Sequence, residues 1–105
     1  MKSNDRETIF VSVYELVSQI PRGKVVTYGD IARAVGVGPR YVGYILHNNP
    51  YPGEVPCHRV VSASGKAAAN FAFGGGQAQQ KLLEKEGIVF KDGKLKMNDY
   101  NLAGF

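Results

Sequence analysis

The chain of 105 residues predicts a mainly α fold, a helix-turn-helix or winged-helix-like domain with a C-terminal β-hairpin wing. Three observations predict it. Apolar residues recur at helical spacing near the N-terminus, two short helical stretches flank a glycine turn, and an Asp-Gly pair separates two β-prone segments. With 44% apolar residues, five Phe and six Tyr, the length suits one packed domain over residues 1–105 and is too short for two.

Ile9, Phe10, Val13, Leu16, Val17 and Ile20 follow helical spacing between Glu7 and Ile20, and Pro21 with Gly23 ends the run. Lys24 to Val26 reads as a short extended connection. Thr27 and Asp30 have capping-box spacing and open a second helix, Tyr28 to Val35, which Gly36-Val37-Gly38 breaks. Pro39 suits the first turn of a third helix reaching about His47, because its missing N–H costs nothing there. Ile31, Ala34, Val35, Val42, Ile45 and Leu46 are expected between these helices, with Arg33, Arg40 and Tyr41 pointing outward.

Asn48 to Pro56 reads as an ordered loop, and Val60-Val61 as a short strand. Ser62 to Gly76 reads as loop, with Gly74-Gly75-Gly76 its most mobile part, and Gln77 to Glu86 as a helix stopped by Gly87. Ile88-Val89-Phe90 and Leu95-Lys96-Met97 flank Lys91-Asp92-Gly93-Lys94 as a hairpin. The tail from Asn98 to Phe105 is expected to dock back on the body. No repeat, low-complexity tract or interdomain linker interrupts the pattern.

Thirteen Lys and Arg against nine Asp and Glu give a formal charge of +4, and a pI near 9.3. That balance favours a polyanionic partner, and the helix-turn-helix pattern makes the second helix pair the expected DNA reader. The N-terminus lacks the apolar core of a signal peptide, and no apolar run approaches the roughly 20 residues of a membrane span, so a cytoplasmic protein with no membrane partner is expected. One Cys excludes an intramolecular disulfide, and one Cys with two His offers too few soft ligands for a metal site. No cofactor is expected.

Cys57 and His58 carry the candidate chemistry. A thiol becomes a nucleophile when it loses its proton to a base, and that base needs an orienting partner. Adjacent side chains of an extended segment point to opposite faces, so contact between the two requires a turn or a bridging water. Taken alone, the dipeptide better suits a buried small hydrophobe beside a structural histidine.

The flanks decide the reading. Ile20-Pro21-Arg22-Gly23-Lys24-Val25-Val26-Thr27-Tyr28-Gly29-Asp30-Ile31-Ala32, Arg40 to Gly43, Asn49-Pro50, Pro56-Cys57-His58-Arg59-Val60-Val61 and Leu82-Leu83-Glu84-Lys85-Glu86-Gly87 follow one another in order. In these motifs the chain resembles the active-site domain of the O6-alkylguanine-DNA alkyltransferases, or methylated-DNA–protein-cysteine methyltransferases, and the shorter alkyltransferase-like proteins. The resemblance implies that Cys57 accepts the alkyl group irreversibly, that His58 takes the thiol proton through a water, and that Glu86 orients the imidazole. It implies that Asn49 shapes the active-site turn and that Tyr28 rotates a phosphate and helps protonate the leaving guanine. Arg40 would fill the stack vacated by the flipped nucleotide, and Gly43 would permit close backbone approach in the minor groove. Tyr41 and Arg59 complete the expected DNA-binding set. Read without the resemblance, Asn49 is a turn starter, Tyr28 a first-turn aromatic, Arg40 one phosphate-binding Arg among several and Glu86 a helix-end charge.

Two features pull toward the alkyltransferase-like group. The chain begins at the first helix of this domain, and Tyr100 lies near the C-terminus as a Tyr does in that group. The group generally has Trp or another residue where Cys57 stands; it binds the lesion without repairing it and flags it for nucleotide excision repair. Lys66 to Gly76 also departs from the Gly-Gly-Tyr loop of active transferases. Phe71 or Phe73 is the expected stacking wall, and Ala67 with Ala68 would enlarge the pocket. The leading expectation is single-turnover alkyl transfer by a monomer from O6-alkylguanine in double-stranded DNA. The alternative is a non-catalytic sensor that recruits nucleotide excision repair proteins. A winged-helix regulator leaves the Cys-His motif unexplained, and a Cys-His hydrolase lacks a readable oxyanion hole.

Overall fold

Helix α1, Arg6–Ser18, turns Val13 and Val17 inward, with Ile9, Phe10, Tyr14 and Leu16 along the same side. The computed structural model describes residues 6–51, 54–67 and 74–102. Past α1 the backbone N–H groups of Gln19 and Ile20 still reach Leu16 and Val17 carbonyls, and the chain then turns at Pro21 to Lys24. Strand β1, Val26–Thr27, leads without a break into α2, Tyr28–Val35. Both halves of the expected capping box form: Thr27 Oγ1 accepts from the Asp30 N–H, and Asp30 Oδ2 accepts from the Thr27 N–H, each at 3.0 Å.

Gly36 closes α2 in the left-handed conformation, and α3, Pro39–His47, begins with its proline in the first turn. The expected boundaries of this helix-turn-helix match the observed ones. Its packing differs at two residues. Ala34 is exposed, because Ala32 is the residue that joins Ile31 and Val35 on the buried face of so short a helix. Tyr41, expected to point outward, is half-buried against the edge of Phe10 at 6.1 Å and stacks on Tyr44, because α1 passes behind α3.

After α3 a single 3-10 turn, Cys57–Arg59, runs into β2, Val60–Val61. Strand β2 pairs parallel with β1, Val26 opposite Val60 and Thr27 opposite Val61. Helix α4, Gly75–Lys85, starts earlier than expected and takes in two of the glycines that read as mobile loop. Strands β3, Phe90–Lys91, and β4, Lys94–Leu95, form the expected hairpin in shorter form. Asp92 and Gly93, both at positive φ, make the turn in the backbone geometry that Asp-Gly pairs favour. Met97 belongs to a one-turn helix α5, Met97–Tyr100, and not to a strand. As far as Leu102 the tail docks on the body: Val25 N–H donates to the Tyr100 carbonyl and Leu102 N–H to the Val25 carbonyl.

Two apolar clusters result. One unites α1, α2 and α3 with Val55, Cys57 and Val60; the other gathers Val25, Val61, Leu83, Ile88 and Leu95. The β1–β2 pair contributes to both, Val26 and Val60 to the first and Val61 to the second, which Val25 just before β1 also joins. The Cys57 turn enters this shared ladder directly, so its position is fixed from both sides.

Candidate functional site

The 3-10 turn supplies the bend that an extended Cys-His pair would lack. Arg59 N–H donates to the Pro56 carbonyl, Val60 N–H to that of Cys57, and Cys57 N–H to that of Val55. Cys57 is 6% exposed. Burial pushes its thiol pKa up, opposed by hydrogen bonds from the Asn49 side chain and from its own backbone. Asn49, itself buried, accepts from Tyr51 N–H at 2.8 Å and donates to the Val55 carbonyl at 3.1 Å, closing the loop that ends at the cysteine.

His58 Nε2 lies 2.6 Å from Glu86 Oε2. Glu86 is no surface charge: its side chain is 5% exposed. Oε1 also accepts from Gly23 N–H and Arg59 Nε, and Oε2 from Arg59 Nη2. Burial alone would raise this carboxyl pKa, but the donors Arg59, Gly23 and His58 outweigh it and hold it at about 2. Ionised Glu86 therefore takes Nε2–H as its donor, which leaves Nδ1 as the basic nitrogen of a neutral ring. Arg59 Nη1 donates to the Ile20 carbonyl at 2.7 Å, so this guanidinium is committed internally. Among the described contacts Arg59 pairs with the buried Glu86 carboxylate, and it does not line the groove that holds Arg40.

Tyr28, the first residue of α2, is half-buried, and its phenol pKa is raised by burial and then by the nearby Cys57 thiol. It also lines an open groove of about 670 Å³ with Pro39, Arg40, Gly43, Tyr44 and His47. A Cβ on Gly43 would stand 4.0 Å from Tyr28 Cε1, an ordinary contact, so this wall of α3 has room for a methyl group beside the tyrosine ring. Arg40 is exposed at the rim. The structure thus brings Tyr28, Arg40 and Gly43 to one groove and Cys57, His58, Asn49 and Glu86 to one turn, with Tyr28 common to both. Tyr41 does not line the groove.

Sequence reasoning missed Gln79. It is fully buried on α4, and its Nε2 donates to the carbonyls of His58 and Val60, pinning the turn to that helix. Its signal was a polar residue one helical turn before buried Leu83. Arg22, whose Nη2 donates to the Lys85 carbonyl at 2.8 Å, was missed also. Phe71, Phe73 and Ala68 lie outside the described residues. Among the described residues no group of three or more His, Cys, Asp or Glu could hold a metal ion. No described helix is long and apolar enough to cross a membrane.

The DNA-binding domain of 6-O-methylguanine DNA methyltransferase matches residues 8–88. The chain belongs to this family. A methylated-DNA–protein-cysteine methyltransferase of Thermococcus kodakarensis is 46% identical over 77 residues, which are 72% of this chain and 42% of that protein. The chain spans about half or less of the length of most curated relatives it matches. Among solved structures, S. pombe Atl1 in complex with damaged DNA containing O6-carboxymethylguanine superimposes with a TM-score of 0.82 at 33% identity, covering 97% of this chain and 98% of Atl1. Mycobacterium tuberculosis OGT in complex with DNA gives 0.66 at 36% identity, over 74% of this chain and 48% of OGT.

Proposed function

We propose that this chain binds O6-alkylguanine flipped out of duplex DNA and transfers the alkyl group to Cys57. The observation that carries the reading is the Cys57 turn itself, with His58 held 2.6 Å from an ionised Glu86 and Tyr28 linking the thiol to the α3 groove. Helix α3 enters the minor groove, and Arg40 fills the place of the extruded nucleotide. His58 Nδ1 accepts the thiol proton through a bridging water. The thiolate sulfur then bonds to the alkyl carbon as the carbon–O6 bond breaks, and the electron pair leaves with guanine. The Tyr28 hydroxyl protonates the base, and the proton on His58 restores the phenol through solvent. Cys57 ends as a thioether, so each molecule acts once.

Digestion of a treated O6-methylguanine duplex to nucleosides tests this stoichiometry. The expected loss of O6-methylguanine equals the protein added and stops there. Continued turnover, or no loss from bound duplex, contradicts the proposal.

A second reading is favoured by the near-complete overlap with Atl1 and by the raised pKa of the buried thiol. In it the chain marks the lesion and recruits nucleotide excision repair proteins. Cys57→Ala separates the two: alkylated cells lacking other transferases stay protected by the variant if it flags lesions, and lose protection if transfer is its work. Either way we read it as a cytoplasmic monomer on double-stranded DNA, and sedimentation of the free protein checks the monomer.

A further inference from the structure

The hairpin wing carries a row of lysines that the alkyl-transfer site does not use. Lys94 is the register partner of Lys91 across β3–β4, and on its other side it bridges Lys66. Residues directly opposite in neighbouring strands share a face, so Lys66, Lys94 and Lys91 stand side by side across three segments. The next residue, Leu95, is buried on the opposite face, and Lys96 returns to the outer one. All four lysines are exposed. Asp92 in the hairpin turn and Asp99 on α5 are the nearest acidic residues in sequence, yet the described ion pairs use only Asp30 and Glu86.

Like charges opposed across strands cost stability. The fold nevertheless clamps this arrangement. Leu95 N–H donates to the Gly65 carbonyl at 3.0 Å, and Ser62 Oγ donates to that of Lys66 at 3.2 Å. A Cβ on Gly65 would collide with the Leu95 carbonyl, so glycine is what lets the segments lie this close. The segment that leads to Lys66 starts beside the groove. Thr27 and Val61 are register partners at the C-terminal ends of parallel strands, and the residues that follow them are Tyr28 of the groove and Ser62 of the Lys66 turn.

We infer that Lys66, Lys94 and Lys91, with Lys96 beside them, form a second DNA contact that follows the phosphate backbone of the duplex flanking the lesion. The inference rests on the DNA-binding reading above and adds a surface to it. Phosphates supply what the row lacks, a line of negative charge with no sequence content, so this contact raises affinity for damaged and undamaged duplex alike.

The test compares the unaltered chain, a Lys66→Gln/Lys91→Gln/Lys94→Gln variant and a control Lys81→Gln/Lys85→Gln variant in titrations against duplexes with and without O6-methylguanine. Each lost phosphate contact flattens the salt dependence by about 0.9, so the affinity advantage of the unaltered chain over the triple variant should shrink roughly 40-fold between about 50 and 200 mM salt. Lesion preference should persist, and the melting midpoint at low salt should stay level or rise as like charges are removed. A triple variant with the parent's salt slope overturns the inference, as does a slope change no larger than the control's. Failure of the unaltered chain to bind either duplex is a different result, because it removes the DNA-binding reading itself.

Discussion

The Glu86 carboxylate, almost wholly buried, is held ionised with a pKa of about 2 by Arg59, Gly23 and His58. A carboxyl whose folded pKa is depressed adds stability above its unfolded value near ~4.3, and that stability is lost as pH falls toward the folded value. Glu86→Gln should therefore cost about 3 kcal/mol at neutral pH, because it strands buried Arg59, and should flatten the loss of stability between about pH 4.5 and 2. Urea unfolding across that pH range measures both effects. The raised pKa of Cys57 gives a kinetic counterpart. In His58→Ala the thiolate must form unaided, so transfer should fall at neutral pH and recover about tenfold per pH unit on the alkaline side; single-turnover rates against pH read this directly. Arg40→Ala should weaken binding to the lesion duplex about tenfold or more, since unstacking a base costs a few kcal/mol that the guanidinium offsets. A loss no greater than for Lys81→Ala in the same titration would remove its assigned role.

At the scale of elements, what could be read from the sequence was whatever local punctuation dictates. Thr27, Asp30, Gly36 and Pro39 set the ends of α2 and α3 through caps and φ restrictions that act within a few residues. Asp92-Gly93 did the same for the hairpin. The start of α4 was hidden because consecutive glycines disfavour a helix, and here Gly75 and Gly76 are drawn into one whose Gln79 and Leu83 are fully buried. The Arg59–Glu86 contact and the two bonds from Gln79 join segments about twenty or more residues apart, so no local pattern announces them. Thr27→Ala should lower stability by about 1 kcal/mol through loss of the cap alone. Gly65→Ala should cost more, about 2 to 3 kcal/mol, because it combines a positive φ with a clash against the Leu95 carbonyl. Thermal melts of the two variants should rank in that order.

Across the whole molecule, the site sits where the two apolar clusters meet. Cys57 and Val60 belong to the helix-turn-helix cluster, Val61 to the cluster under the hairpin, and Glu86 reaches the turn from the end of α4. The α3 groove, the thiol and His58 thereby share one junction, and a shift in either cluster is expected to be felt at Cys57. The proposed function requires that Cys57 accept the alkyl group. Peptide mass spectrometry after incubation with an O6-methylguanine duplex tests it most directly: transfer adds one methyl group to the Cys57 peptide in every active molecule. An unmodified Cys57 peptide from protein shown to be bound to that duplex would contradict it.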